Sequence, residues 1–199
     1  MKKNYERYKS LTSKDCDKKT LMYYLCRVPS DRRIVPLLSK IRSKRVLDVG
    51  LGSGHYTKIF IEQNEVVGVD RNPHLCRLPI KVHSGDATEL SKLVGEKQFD
   101  VVISTWLTEY LTTDQLEKFF SEAKKVLGNN GLLMTTVIST RGMGFLYIKL
   151  AKIVKGIDKY NYTKSVAVTK IKEAGFADVE IIDLDSWFGF PWAYMVVAR

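Results

Sequence analysis

Val46-Leu47-Asp48-Val49-Gly50-Leu51-Gly52-Ser53-Gly54-His55-Tyr56 is the stretch that decides how this chain folds. A short apolar run ends in glycines at 50, 52 and 54, and apolar residues then recur at steps of three and four. Glycine gives the backbone access to positive φ and lets a ligand lie against the main chain. Three alternating glycines between a strand and a helix therefore suit a large planar or zwitterionic molecule. Two further carboxylates extend the pattern. Asp70 ends the apolar run Val66-Val67-Gly68-Val69, where it can accept from both ribose hydroxyls, and Asp86 ends the weaker run begun at Lys81, where it can accept from an adenine amino group. With Asp48, three acids stand at successive strand ends, the crevice where open α/β sheets bind ligands. The dinucleotide fingerprint G-x-G-x-x-G would need glycine at position 55, which is His55.

Outward from this loop, strands and helices alternate. Residues 56–61 predict a helix and 99–104 a strand. Thr112 with Gln115 gives a capping box, opening a helix whose apolar face is Leu116, Phe119, Phe120, Ala123, Val126 and Leu127, with Gly128 as its stop. Residues 132–138 predict the next strand. Such alternation implies a parallel sheet covered on both faces. A helix stopped by Gly175 and strands at 179–184 and 194–198 close the chain. Too few residues separate those strands for a parallel crossover, so they should pair antiparallel.

The composition, 45% hydrophobic and 27% charged over 199 residues, is that of one globular domain. No apolar stretch approaches the ~20 residues that cross a bilayer, and the charged opening lacks the apolar core of a secretory signal. Cys16, Cys26 and Cys76 have no C-x-x-C spacing, which points to a reduced, cytoplasmic setting without a structural metal. Residues 1–45 hold 14 Lys/Arg and 4 Asp/Glu, which equals the whole chain's net charge of +10. We read 1–44 as a basic helical cap or arm and 45–199 as the main domain. The arm is either a solvated face or a surface for an anionic partner.

From about Lys44 to Arg199 the chain resembles the class I S-adenosylmethionine (SAM)-dependent methyltransferases, on the loop from Asp48 to Gly54, the acids Asp70 and Asp86, the strand and turn at 99–110 and the final antiparallel strand. The resemblance implies an α/β, Rossmann-like fold with a doubly wound seven-stranded sheet of order 3-2-1-4-5-7-6. It implies a methyl transferase with SAM as cofactor and S-adenosylhomocysteine as product. Gly50, Leu51, Gly52 and Gly54 would pass beneath the methionyl part, with Asp48 near its amino group. Asp70 and Arg71 would stand at the ribose, Asp86 and Ala87 at the adenine, and Ser104, Thr105 and Trp106 along the opposite wall. The chain departs from the pattern between Asp70 and the third strand, where the intervening helix must be short. The turn at 104–107 also lacks the N-P-P-Y type motif of amine-methylating DNA enzymes.

The acceptor is expected to be a small apolar or anionic metabolite methylated on O or C, less readily on N. Methyl transfer needs alignment and exclusion of water more than a fixed catalytic set. Where a base is needed, Glu109, Tyr110 and His55 are the candidates. Tyr5, Tyr8, Tyr110, Tyr147 and Trp187 are the candidate substrate residues. The insert at 141–164 reads as a lid carrying a basic amphipathic helix, whose stripe Leu146, Leu150, Ile153, Val154 and Ile157 should dock on the core. Its alternative role is peripheral contact with an anionic membrane. Trp187, Phe188, Phe190 and Trp192 crowd the last hairpin. The competing functions are an RNA methyltransferase using the basic arm and a SAM-binding protein without turnover.

Overall fold

The computed structural model describes residues 21, 23–155 and 158–199. Tyr5, Tyr8, Ile157 and most of the basic arm lie outside them. Seven strands form one sheet: β1 (Arg45–Val49), β2 (Glu65–Asp70), β3 (Lys81–Ser84), β4 (Phe99–Ser104), β5 (Leu127–Ile138), β6 (Val179–Asp185) and β7 (Pro191–Ala198). Their order is β3-β2-β1-β4-β5-β7-β6. The first five run parallel, while β7 pairs antiparallel with both β5 and β6. This is the expected topology, including the antiparallel end.

The helices are α1 (Val28–Leu38), α2 (Leu90–Val94), α3 (Thr113–Val126), α4 (Gly142–Lys155) and α5 (Lys164–Glu173). Successive strand residues feed opposite faces of the sheet. Leu47, Val102 and Leu133 pack with Phe119, Phe120 and Ala123 of α3 and Ile171 of α5. Val46, Val101, Ile103 and Met134 pack with Ile34 and Leu38 of α1, Phe60 and Trp192. Strands buried on both sides must be apolar throughout, so they read as continuous runs rather than alternating ones.

Three expectations need correction. Residues 56–61 form two 3₁₀ turns, Thr57–Ile59 and Ile61–Gln63, instead of an α-helix. Three β-branched residues in five positions disfavour the helix, and Asn64 Nδ2 ends the segment by donating to the carbonyls of Phe60 (2.7 Å) and Ile41 (2.8 Å). Gly128 is not the stop of α3. The chain turns extended at Leu127, and Gly128 continues as strand in β5.

The third concerns α4, which is present but turned away from its expected face. Met143, Tyr147 and Ile148 pack inward and Ala151 is buried, while Leu146, Leu150 and Ile153 are exposed, Ile153 by 78%. Gly144 sets this rotation. A Cβ there would stand 2.4 Å from the Ser139 carbonyl oxygen and 2.5 Å from that of Trp192, so only the glycine face fits against the core. Among the described residues no helix is long and apolar enough to cross a membrane, and no group of His, Cys, Asp and Glu is placed to hold a metal.

Candidate active site

The parallel strands β1, β2 and β4 end along one edge of the sheet, where their turns build the first half of the site. Gly52 has φ +55°, and a Cβ on it would meet nothing within 4 Å, so the main chain there is bare on one side. Gly54 has φ +79°, and its Cβ would lie 2.5 Å from Leu78 Cδ1. Asp70, 2% exposed, shapes the loop: its Oδ2 accepts from the Gly52 amide (2.9 Å) and its Oδ1 from the Asn72 amide (2.7 Å). The Leu51 side chain turns inward to pack on Gly68 of β2, leaving its backbone to the loop.

Asp48 lies buried beneath the loop. Oδ2 accepts from Thr57 Oγ1 (2.6 Å), whereas Oδ1 has no partner. Burial pushes its carboxyl up to about 7, against the Thr57 hydrogen bond and with help from the charge of Asp70. A dry carboxylate oxygen beside an open glycine loop is suited to a cation. Asp86 is already engaged. Arg71 holds one oxygen, and the amide (3.0 Å) and hydroxyl (2.9 Å) of Thr88 hold the other. Burial works against the Asp86 carboxylate, but the Thr88 amide and Arg71 keep it below the usual range. Ala87 is buried beside it.

The turn after β4 starts the second half. Ser104 and Thr105 are buried, and Ser104 Oγ has no partner. Trp106 takes the left-handed backbone (φ +60°) with its amide on Thr136 Oγ1 (2.6 Å). Such a conformation is costly for a bulky residue, about 1–3 kcal/mol, and persists where surroundings enforce it. The indole Nε1 donates to Tyr56 Oη (2.9 Å), which donates to Asp31 Oδ1 (2.6 Å). The Arg27 guanidinium lies 4.7 Å from the Trp106 ring centre, and its Nε has no partner. Trp192 stands 5.8 Å from Trp106 and Tyr147 meets Trp192 edge-on at 4.9 Å, while Trp192 Nε1 has no partner.

Glu109, 4% exposed, closes this wall. Its Oε1 accepts from Lys159 Nζ (2.5 Å) and Tyr147 Oη (3.2 Å), and Oε2 has no partner. Burial opposes the Lys159 ammonium, yet Glu109 and the phenols of Tyr110 and Tyr147 hold it well above the usual lysine range. Burial, then the Glu109 charge, raises the Tyr147 phenol. Tyr110 is exposed, with Lys159 over its ring at 4.5 Å.

Glu109, Tyr110, Tyr147 and Trp106 thus come together. His55 and Trp187 stand apart. His55 is exposed with its ring edge-on to Tyr56. Trp187 binds the start of the described chain, its Nε1 on the Tyr24 carbonyl (2.9 Å) and its ring under Arg32 (4.0 Å). The sequence reading missed Arg27 and Lys159, which it counted among surface charges, and took Trp192 as one of the aromatics of a hairpin.

Residues 47–135 match the methyltransferase domain family. A SAM-dependent methyltransferase from Archaeoglobus fulgidus shares the fold at TM-score 0.69 and 20% identity, over 86% of this chain and 92% of its own. A possible histamine N-methyltransferase from Thermotoga maritima aligns at TM-score 0.77 and 15% identity over 100% and 99% of the two chains. The 1,6-didemethyltoxoflavin-N1-methyltransferase of Burkholderia thailandensis, solved with its substrate and S-adenosylhomocysteine bound, aligns at TM-score 0.66 and 18% identity over 85% and 77%. Motif order, sheet order and the family match over residues 47–135 agree: the chain carries a methyltransferase domain similar to those of the SAM-dependent methyltransferases, enzymes whose cofactor is SAM.

Proposed function

We propose that the protein methylates a small molecule held against Trp106, with Glu109 receiving the acceptor's proton. The observation that carries the donor half is the unpartnered, buried Oδ1 of Asp48. It fits the α-ammonium of SAM, the cation that a methionyl group would bring over the bare backbone of Gly50, Leu51, Gly52 and Gly54. Asp70, which already orders the loop, is the acceptor for the ribose hydroxyls, with Arg71 beside it. Asp86 and Ala87 border the adenine. Because Arg71 and Thr88 engage Asp86, an adenine amine would share an oxygen with them. Ser104, Thr105 and Trp106 form the far wall.

When bound, SAM supplies an electrophilic methyl on a sulfonium. The chain positions the nucleophile and excludes water. Asp48 and the glycine loop would hold SAM so that this methyl passes to the acceptor's lone pair, with loss of the carbon–sulfur bond, and a neutral thioether remains. The acceptor's proton goes to Glu109 Oε2, the oxygen that Lys159 and Tyr147 leave open. This arrangement suits a hydroxyl or an activated carbon before an amine. Titration with S-adenosylhomocysteine should release heat and raise the melting temperature. Neither response at millimolar ligand would remove the assignment.

A second reading rests on α4. Its exposed Leu146, Leu150 and Ile153, flanked by Lys149 and Lys152, make an apolar strip with a cationic margin. Such a face suits an anionic lipid surface, and its position on the lid would bring the site to a lipid-like acceptor. Co-sedimentation with anionic vesicles at low salt, and not with neutral ones, is the expected result. Equal partition rejects the contact.

A further inference from the structure

The acceptor wall holds three buried polar atoms that no group among the described residues satisfies: Arg27 Nε, Trp192 Nε1 and Glu109 Oε2. A buried polar group left unpaired is costly, so three around one cluster of rings mark a place where a ligand completes the hydrogen bonds. Two are donors and one is an acceptor.

The walls between them are flat. Arg27 covers one face of Trp106, Trp192 lies tilted at 32° to Trp106, and Tyr147 sets its edge to Trp192. Indole and phenol rings favour offset or edge-to-face partners, which selects planar over globular ligands.

The charges are unequal. Lys159 and Glu109 neutralise each other at 2.5 Å. Arg27 forms no ion pair among the described residues: its charge meets the Trp106 and Tyr56 rings, the hydroxyls of Tyr56 and Tyr147, and the more distant Glu109. Buried away from water, an unbalanced guanidinium favours an anion.

We infer that Arg27 is the specificity residue of this site, selecting a planar aromatic acceptor with an anionic oxygen next to the hydroxyl or N–H that is methylated. The anionic oxygen takes the donors of Arg27 and Trp192, and the hydroxyl or N–H faces Glu109 Oε2. This rests on the proposed methyl-transfer reading and names its substrate class. Arg27 contacts the acceptor alone, so it should govern binding of the acceptor and leave the donor untouched.

The test uses protein saturated with S-adenosylhomocysteine and two probe pairs, salicylate with salicylamide and anthranilate with anthranilamide, titrated by calorimetry. The acids should bind at least 10-fold tighter than the amides. Arg27→Gln should abolish the preference without changing S-adenosylhomocysteine affinity, and Arg27→Lys should restore part of it. Trp192→Phe keeps the ring and removes one donor. It should weaken acid binding several-fold, and it decides the matter should Arg27→Gln not fold. Equal affinity for acids and amides, no binding of either, or a preference that survives these changes overturns the inference. Loss of S-adenosylhomocysteine binding in the unaltered protein would instead bring down the parent reading.

Discussion

The two halves of the site are made of different material. The proposed donor half comes from residues 48–87 and is largely main chain: glycine backbone, amides on Asp70, and acids at consecutive strand ends. The acceptor half is side chain throughout, gathered from Arg27, Tyr56, Trp106, Glu109, Tyr147, Lys159 and Trp192. A backbone site is set by the fold and tolerates change in distant side chains. A side-chain site depends on each partner, and a single substitution leaves others stranded.

Lys159→Met should separate the halves most strongly. Removing one member of a buried ion pair leaves an uncompensated charge and costs about 3–5 kcal/mol. For a chain of this size that is a fall in melting temperature on the order of 10 °C. Adding Glu109→Gln should recover most of it. If the single and double variants melt together, the buried pair is not the fastening of that wall.

A carboxylate-to-amide change in the donor half should act in the opposite sense. Asp48 is pushed up to about 7, against about 4 in an unfolded chain. Between those values the folded state binds a proton that the unfolded state does not, so stability without cofactor should fall as pH rises from about 4 to 7. Asp48→Asn should flatten that fall while weakening S-adenosylhomocysteine binding about 10- to 100-fold, the worth of a charge-assisted hydrogen bond. Binding to the unaltered protein should strengthen as pH rises through 7, because the ammonium needs the ionised acid. A pH-independent affinity would move the ammonium elsewhere. Thr112→Ala is the smallest change. It removes the α3 cap (Gln115 amide to Thr112 Oγ1, 3.4 Å) and should cost ~1 kcal/mol of stability with both ligand affinities intact.

The same difference in material explains what the sequence disclosed. Glycines at 50, 52 and 54 and acids at 70 and 86 act through their own stretch of chain, so spacing alone reveals them. The antiparallel pairing of the last two strands followed from the length of their connection, whereas the sheet order came with the family resemblance. Lys159 looked like a solvent-facing lysine beside an amphipathic helix, and only the carboxylate at 109, 50 positions away, makes it an interior group. Arg27 sat in a basic run whose bulk charge masked it. The helical period found α4 but misjudged its rotation, because the tight contact at Gly144 outweighs the apolar count on the other face.

The hydrogen bond from Trp187 to Tyr24 spans 163 positions. Together with the amide of Trp187 on the Leu25 carbonyl (3.3 Å), it fastens the last hairpin to the π-helical segment Tyr23–Arg27. Contacts of such long range form late, after the loop-closure entropy has been met. A chain emerging from the ribosome would therefore own the proposed cradle for the methyl donor well before the wall proposed for the acceptor.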